Sequence, residues 1–308
     1  MKVFVTGGTG YIGSYLIKHL VNSGHELLCL KRQNSDLSRL EDYKDKVIWV
    51  NNSENWQEQF RKYQPSIVYN LAWNGVSSID RIIWEKQIQN IYLQQELLEL
   101  SLECNVQKFV GIGSQSEYGD FEDIVKEDYP ANPKTAYAAA KYASLTLMKT
   151  FCEINNIDWY WFRVFPVFGP GENENWLIPQ LIKTICTNGT MNLTPGEQKL
   201  PYLYVGECAK AIASPINIKG CSGIYNISSD NPIPLKELIC KIKDMINPDF
   251  KLSFGTIPYR FGQSMLMGGD TTSLSKNLYH LQTDTFEEKL KETVIYYVNK
   301  FSKNKSHE

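Results

Sequence analysis

The chain has 308 residues, of which 43% are hydrophobic and 21% charged, and its formal net charge at pH 7 is -2. These values favour a soluble globular protein with a substantial core, and they argue against a general affinity for nucleic acid or anionic membranes. The seven cysteines lack metal-ligand spacing, and no apolar run is long enough to span a bilayer. We therefore expect a reduced, cytoplasmic protein without a metal site.

Short apolar strands alternate with helices along the first two-thirds of the sequence. This alternation predicts a parallel sheet with helices on both faces, the Rossmann-type doubly wound α/β arrangement. The strands are expected at 2–6, 25–30, 47–50, 67–72, 107–112 and 159–164, and the helices at 11–22, 85–104 and 135–155.

The pattern changes after Gly169, where shorter segments are interrupted by proline and glycine. Helices are expected at 176–186, 235–246 and 285–301, with a strand at 201–205. We predict a dinucleotide-binding domain over 1–168, to which a strand and helix near 199–214 return. A smaller, interleaved α/β substrate-binding domain is expected over 169–308, and the cleft between two domains is the usual ligand site.

A glycine-rich turn, GGTGYIG at 7–13, follows the first strand and opens the first helix. Glycines permit positive φ and let backbone amides approach a pyrophosphate, and the helix dipole adds to the attraction. Its position at the start of a βαβ unit favours a dinucleotide site over a simple turn. The cofactor residues expected here are Gly7, Gly10, Tyr11, Ile12 and Gly13.

The second strand leads into Lys31 and Arg32, at the point where an acidic side chain would select NAD by bonding the ribose 2′-hydroxyl. Two cations suit a 2′-phosphate instead, so the sequence predicts NADP(H) in preference to NAD(H). A solvated basic turn is the alternative interpretation.

Tyr137 and Lys141 lie four residues apart in YAAAK and therefore share one face of a helix. A lysine beside a phenol favours the phenolate, so such a tyrosine can exchange a proton with an alcohol or ketone oxygen. Ser114, at the end of a strand, can hold the same oxygen by a hydrogen bond. We predict Ser114, Tyr137 and Lys141 as the catalytic group, although Y-x-x-x-K alone is more often a surface pair.

The order of these motifs resembles the extended short-chain dehydrogenase/reductase family of nucleotide-sugar epimerases, dehydratases and ketoreductases. The matching pieces, from Met1 to about Phe301, include TGGTGYIG, NLAWNGV, GSQSEYG, YAAAK, RVFPVFGPGE and YLYVGECA. The resemblance implies a Ser-Tyr-Lys catalytic group, a nicotinamide cofactor, a nucleotide diphosphate sugar in the second domain, and a homodimer. The further cofactor-binding residues are then Asn52, Leu71, Ala72, Asn90, Tyr137, Lys141 and Phe165.

The two residues that follow the predicted catalytic serine differ from those found in related enzymes. The sugar 4,6-dehydratases carry Asp-Glu where this chain has Gln115 and Ser116, and the reductases that also epimerise carbons 3 and 5 carry cysteine at the Ser116 position. An amide and a hydroxyl are poor acids and bases near neutral pH, so dehydration and double epimerisation are disfavoured. Position within the family suggests these substrate-binding residues: Asn74, Ser116, Asn175 and Arg260.

Three functions remain open from the sequence. The cation pair favours an NADPH-dependent reductase of the carbon-4 ketone of a nucleotide-linked 4-keto-6-deoxyhexose, in deoxysugar and surface polysaccharide biosynthesis. The segment NLAWNGV is similar to 4-ketoreductases of the CDP-abequose synthase and dTDP-fucose synthase type. The alternatives are an NAD-dependent nucleotide-sugar 4-epimerase and a non-catalytic NADP-binding redox sensor.

Overall fold

The computed structural model of the chain describes residues 1–260 and 262–304. Its strands are β1 (Lys2–Thr6), β2 (Glu26–Lys31), β3 (Ile48–Asn51), β4 (Ile67–Asn70), β5 (Lys108–Ser114), β6 (Asp123–Val125), β7 (Asp158–Val164), β8 (Val167–Phe168), β9 (Lys199–Leu200), β10 (Leu203–Tyr204), β11 (Gly223–Ile227), β12 (Ile233–Pro234) and β13 (Met267–Gly269). Seven of them form a parallel sheet in the order β11-β7-β5-β4-β1-β2-β3. The strand order reverses between β1 and β4, which is where such folds bind ligands.

The helices connect these strands and lie on both faces of the sheet. None of them, within the described residues, is long and apolar enough to cross a membrane. The helices are α1 (Tyr11–Asn22), α2 (Trp56–Tyr63), α3 (Trp84–Glu103), α4 (Ala136–Ile154), α5 (Leu177–Cys186), α6 (Val205–Ala213), α7 (Leu235–Ile246), α8 (Thr272–Asn277) and α9 (Phe286–Asn304).

Side chains of each strand point alternately to the two faces of the sheet, and the core therefore forms two apolar layers. On β1, Val3 and Val5 pack with α1 and α6 on one face, whereas Phe4 packs with α2, α3 and α4 on the other. Successive side chains of a strand point to opposite faces, so a strand that is apolar throughout must be covered twice. The predicted doubly wound parallel sheet is therefore confirmed.

A third apolar cluster lies outside the two sheet layers. It joins α5, α7 and α9 with the end of β8, and its fully buried members include Leu181, Leu238 and Leu290. The range 169–308, expected to form the substrate-binding domain, supplies this cluster, and it also supplies β11 and α6 to the large sheet and its cover. Residues after Gly169 thus contribute both to the third cluster and to the large sheet with its cover.

The close approach of α1 to the preceding turn gives a test of the fold. At Gly13 a Cβ atom would lie 2.2 Å from the carbonyl oxygen of Gly7. We expect Gly13→Ala to lower the free energy of unfolding by about 2 kcal/mol, because backbone atoms must move to admit the methyl group. Urea denaturation of the purified protein measures this change.

Gly189→Ala is the matched control for this substitution. A Cβ at Gly189 would meet its nearest atoms at 3.5 Å, which is ordinary van der Waals contact. The control should change the free energy of unfolding by less than about 0.5 kcal/mol. Equal effects of the two substitutions would contradict the packing of α1 described above.

Candidate active site

The turn between β1 and α1 brings an open helix N-terminus to the carboxyl edge of the sheet. Gly7 has a φ of 70°, and its carbonyl accepts a hydrogen bond from the Gly10 amide at 3.0 Å. Gly10 caps α1 without a side-chain hydrogen bond. The first amides of the helix, those of Tyr11, Ile12 and Gly13, therefore have no side-chain cap and suit an anion such as a pyrophosphate.

The end of β4 is fastened to β1 beside this turn. The Thr6 hydroxyl donates to the Asn70 side chain at 2.7 Å and accepts from the Ala72 amide at 3.1 Å. A Cβ at Gly7 would lie 2.6 Å from the backbone of Leu71 and of Ala72, so only glycine fits there. The predicted cofactor residues Leu71 and Ala72 therefore share one edge of the sheet with the glycine turn.

The ends of β2 and β3 bring three further predicted cofactor residues together. The Lys31 ammonium donates to the Asn51 side chain at 2.8 Å, and the Asn52 amide donates to the Lys31 carbonyl at 2.9 Å. Arg32 is exposed, and its amide donates to the Ser35 hydroxyl at 3.1 Å. This edge lies where the adenosine end of a dinucleotide seated on α1 would reach.

Ser114 is the last residue of β5 and is 8% exposed. Its Oγ accepts from the Ser116 amide and donates to the Ser116 hydroxyl, both at 3.2 Å. The side-chain Nε2 of Gln115 also donates to the Ser116 hydroxyl, at 3.4 Å. The hydroxyl at the strand end is thus part of a short polar chain made of neutral groups.

A buried ion pair, absent from our sequence-based site, lies next to Ser114. The Glu117 carboxylate accepts from the Ser114 amide at 2.8 Å, the Trp161 indole at 3.1 Å and the Arg163 guanidinium at 2.9 Å. Both charged side chains are almost fully buried. Burial raises the pKa of Glu117, while Arg163 and the donated hydrogen bonds act to lower it. The pair fixes the turn that follows Ser114.

The N-terminal half of α4 directs the predicted tyrosine and lysine toward the end of β5. Thr135 caps the helix by accepting from the Ala138 amide at 3.2 Å. Tyr137 is 7% exposed, and burial raises its pKa, whereas the Arg81 charge and a hydrogen bond with Ser114 act to lower it. Tyr137 and Ser114 are thus close enough for each to influence the other's side chain.

Lys141 completes this group from the next turn of α4. Its ammonium donates to the Ile112 carbonyl on β5 at 2.6 Å and lies 5.9 Å from the centre of the Tyr137 ring. It also lies 3.6 Å from the centre of the Trp73 ring, whose indole N–H donates to Gln87 at 2.8 Å. Burial lowers the pKa of Lys141 to about 7.

The loop between β4 and α3 supplies an arginine that our sequence analysis did not select. The Cζ atom of Arg81 lies 4.7 Å from the centre of the Tyr137 ring and 5.9 Å from that of Trp176. Its Nε donates to the Val76 carbonyl at 2.9 Å. No local signal in the sequence marks this residue, because the chain separates it widely from Tyr137.

Asn74 and Asn90, predicted to contact substrate and cofactor, are bonded to each other. The Asn90 side chain accepts from the Asn74 amide at 2.6 Å and donates to the Asn74 carbonyl at 3.1 Å. Asn90 therefore holds the loop after β4 against α3, and the exposed Asn74 lies in the same loop as Arg81.

The remaining predicted residues have different surroundings. Phe165 is 2% exposed and packs against Tyr118 and Phe121, so its side chain belongs to an aromatic cluster and only its backbone is available to a cofactor. Asn175 and Arg260 are exposed, the first just before α5 and the second in the segment that precedes β13.

Comparison with known proteins places the chain among nucleotide-sugar enzymes. A family model described as "NAD dependent epimerase/dehydratase family" matches residues 3–228. The chain is 24% identical over 317 residues to CDP-abequose synthase of Yersinia pseudotuberculosis, with 97% of this chain and 100% of that protein covered. It is 23% identical over 289 residues to dTDP-6-deoxy-L-talose 4-dehydrogenase (NAD(+)) of Aggregatibacter actinomycetemcomitans, with 87% and 99% covered.

Solved structures share the fold along nearly the whole chain. The UDP-N-acetylglucosamine 4-epimerase from Methanobrevibacter ruminantium M1 matches with a TM-score of 0.87 at 24% identity, covering 97% of this chain and 98% of that one. The dTDP-glucose 4,6-dehydratase from Bacillus anthracis matches with a TM-score of 0.84 at 18% identity, covering 97% of each. These likenesses establish the common fold.

The surroundings of Lys141 predict a pH-dependent stability. Its pKa is about 7 in the folded protein, against about 10.4 for an exposed lysine. Between these values the unfolded chain binds a proton that the folded protein does not, so stability rises with pH from about 7 to about 10. Compared with Lys141→Met, the wild type should gain a few kcal/mol of unfolding free energy over this range.

Urea unfolding of both proteins at several pH values measures this gain. Lys149→Met is the control, because the Lys149 side chain is 49% exposed on the same helix and its removal should leave the pH dependence of the wild type unchanged. A difference between wild type and Lys141→Met that does not vary with pH would contradict the prediction.

Proposed function

The chain belongs to the NAD dependent epimerase/dehydratase family, as its motifs predict, and from that membership we propose that it is an NADPH-dependent 4-ketoreductase. Its substrate would be a nucleotide-linked 4-keto-6-deoxyhexose. The observation that carries the proposal is the placement of Tyr137 near Ser114, with the Lys141 ammonium 5.9 Å from the Tyr137 ring centre and only neutral side chains at Gln115 and Ser116. Such a site can exchange a proton with a ketone oxygen, and its positions 115 and 116 hold no acid, base or thiol for dehydration or double epimerisation.

Proton transfer would take place at the phenol of Tyr137. The ketone oxygen of the sugar would accept hydrogen bonds from the Ser114 hydroxyl and the Tyr137 phenol, which polarise the carbonyl. The nicotinamide cofactor, when bound, supplies the hydride to carbon 4. Tyr137 would give its proton to the same oxygen, and the Lys141 ammonium would stabilise the phenolate that remains.

The cofactor would lie along the edge formed by the glycine turn and the ends of β2 and β4. The uncapped N-terminus of α1 would hold the pyrophosphate. Arg32 is the exposed cation at the end of β2 and would bind the 2′-phosphate that distinguishes NADP(H) from NAD(H). This choice of cofactor supports net reduction, because a reductase consumes NADPH rather than regenerating it.

The proposal also states which residues would bind the nucleotide sugar, how the protein would assemble and where in the cell it would act. Asn175 and Arg260 would bind the nucleotide diphosphate from the second domain, with Asn74 and Ser116 nearer the sugar. We propose a homodimer through α3 and α4, because Tyr92 on α3 is 65% exposed and large apolar side chains of α4 are exposed as well. The cytoplasm is the proposed location, because nucleotide sugars and NADPH are available there.

A nucleotide-sugar 4-epimerase is the second candidate. The same catalytic group can oxidise carbon 4 and then reduce it from the other face of the sugar. One observation favours this reaction, because Lys31 is bonded to Asn51, which leaves a single exposed cation at the end of β2. An NAD-using epimerase would not require a pair of cations there.

The first test of the proposal is an activity assay. Purified protein should oxidise NADPH when it is supplied with a 4-keto-6-deoxyhexose linked to dTDP, CDP or GDP. Tyr137→Phe should lower kcat by about 10²- to 10⁴-fold, because it removes the proton donor and keeps the ring. Tyr142→Phe removes a phenol from a 39%-exposed position of the same helix and should retain activity.

Two results would overturn the ketoreductase. The first is an absence of NADPH oxidation with all three nucleotides. The second is interconversion of 4-epimers by protein that releases NAD on heat denaturation and shows no net cofactor turnover. The second result would establish the alternative candidate.

Cofactor choice is tested separately. Arg32→Gln should raise the KM for NADPH by about tenfold, since a charge-assisted hydrogen bond to the 2′-phosphate is lost. It should leave the KM for NADH nearly unchanged. Arg61→Gln, which removes an arginine from an ion pair on α2, is the control for a change in overall charge. If Arg32→Gln changed the KM for NADPH and the KM for NADH equally, the result would argue against a contact between Arg32 and the 2′-phosphate.

A further inference from the structure

The loop between β4 and α3 places a cation on the tyrosine of the candidate active site. We propose that Arg81 is a positioning residue that stabilises the ionised form of the Tyr137 phenol. The consequence for catalysis rests on the proposed function, in which Tyr137 transfers the proton, but the charge contact itself does not depend on any substrate. Arg81 would thus act in addition to Lys141, from the loop between β4 and α3 rather than from α4.

The guanidinium of Arg81 lies between two aromatic rings. Its Cζ atom is 4.7 Å from the centre of the Tyr137 ring and 5.9 Å from that of Trp176. A guanidinium within about 6 Å of a ring centre is attracted by the electrons of the ring face. This attraction is stronger for a phenolate than for a neutral phenol, because the negative charge is shared with the ring.

The charge of Arg81 is not neutralised by a neighbouring carboxylate. Asp80, the adjacent residue, pairs with the Lys86 ammonium at 2.6 Å and accepts from the Ser77 hydroxyl at 2.8 Å. Arg81 forms no ion pair within the described residues 1–260 and 262–304. Without such a counter-charge, no ion-pair partner offsets the field of Arg81 at the phenol.

The loop that carries Arg81 is held by a buried side chain of α3. Gln87 is fully buried, donates to the Gly75 carbonyl at 2.8 Å and to the Asp80 carbonyl at 3.0 Å, and accepts from the Trp73 indole. These three bonds fix the loop at its start and at the residue next to Arg81. The contact with Tyr137 is therefore part of an ordered segment of the fold.

Four groups face the Tyr137 side chain from the elements packed around it. They are Arg81 from the loop, Lys141 from the same helix, Glu117 from the turn after β5, and the Ser114 hydroxyl. Burial and the Glu117 charge raise the pKa of Tyr137, whereas Arg81 and Ser114 act to lower it. Lys141, with a pKa of about 7, is only partly protonated near neutral pH. Arginine is the side chain that keeps its positive charge in proteins, so Arg81 is the permanent cation at the phenol.

The ionisation of residue 137 can be measured directly. Tyr137→3,5-difluorotyrosine places one fluorinated phenol at this position, with an intrinsic acidity high enough to titrate in the neutral range. Fluorine NMR of this parent protein, without cofactor or substrate, gives the titration midpoint. Adding Arg81→Gln should raise the midpoint by about one pH unit, a tenfold change in the ionisation constant. Arg81→Lys, which keeps a cation, should recover most of the change.

Two further proteins complete the design. Arg61→Gln removes the same charge from α2 and should leave the midpoint within about 0.3 unit of the parent. Arg81→Met is a second neutral variant, and circular dichroism identifies which variants are folded. A folded neutral variant whose midpoint lies within about 0.3 unit of the parent overturns the inference. Because the titration uses no substrate, its result can be interpreted even if the ketoreductase assay fails. The ketoreductase assay can likewise be interpreted if the titration overturns the role of Arg81.

Discussion

The buried ion pair between Glu117 and Arg163 fixes the part of the molecule on which the candidate chemistry depends. Arg163 belongs to β7, and Glu117 lies in the turn that follows β5, so the pair joins the ends of two neighbouring strands. The Glu117 carboxylate also accepts from the Ser114 amide and the Trp161 indole. Loss of one partner of such a pair leaves a buried charge and costs about 3–5 kcal/mol. The position of the Ser114 hydroxyl therefore follows from an interaction beneath the site.

Other buried polar contacts attach the surrounding elements to this centre. The Lys141 ammonium ties α4 to the Ile112 carbonyl of β5, and the Gln94 side chain ties α3 to the Ser144 carbonyl of α4. The apolar layers bring these helices to the sheet, but such contacts are non-directional and tolerate small shifts. Hydrogen bonds to backbone carbonyls are directional, so they set how far each helix is shifted along its axis relative to its neighbours. They therefore hold Tyr137 and Lys141 near Ser114.

The fold and the placement of Tyr137 and Lys141 on one face of a helix could be predicted because their signals are local. Alternating strands and helices, the glycine turn and the spacing of Tyr137 and Lys141 can each be seen within a few residues. Glu117 could not be assigned this way, because a carboxylate in a polar turn is usually solvated and its partner Arg163 lies far along the chain. The Phe165 side chain also escaped prediction, since the register at the end of β7 turns it into an aromatic cluster. Local spacing does not determine such long-range contacts.

One loop, between β4 and α3, contacts both Tyr137 and Lys141. Trp73 at its start places its ring 3.6 Å from the Lys141 ammonium, and Arg81 near its end lies over the Tyr137 ring. The ring of Trp73 favours the charged form of the lysine, which offsets part of the penalty of burial. The cation of Arg81 favours the charged form of the phenol. Strand β5 and helix α4 thus fix where Ser114, Tyr137 and Lys141 lie, while the loop after β4 places the groups that favour the charged forms of Tyr137 and Lys141. A change confined to this loop would alter the chemistry at Tyr137 without moving the residues of the sheet.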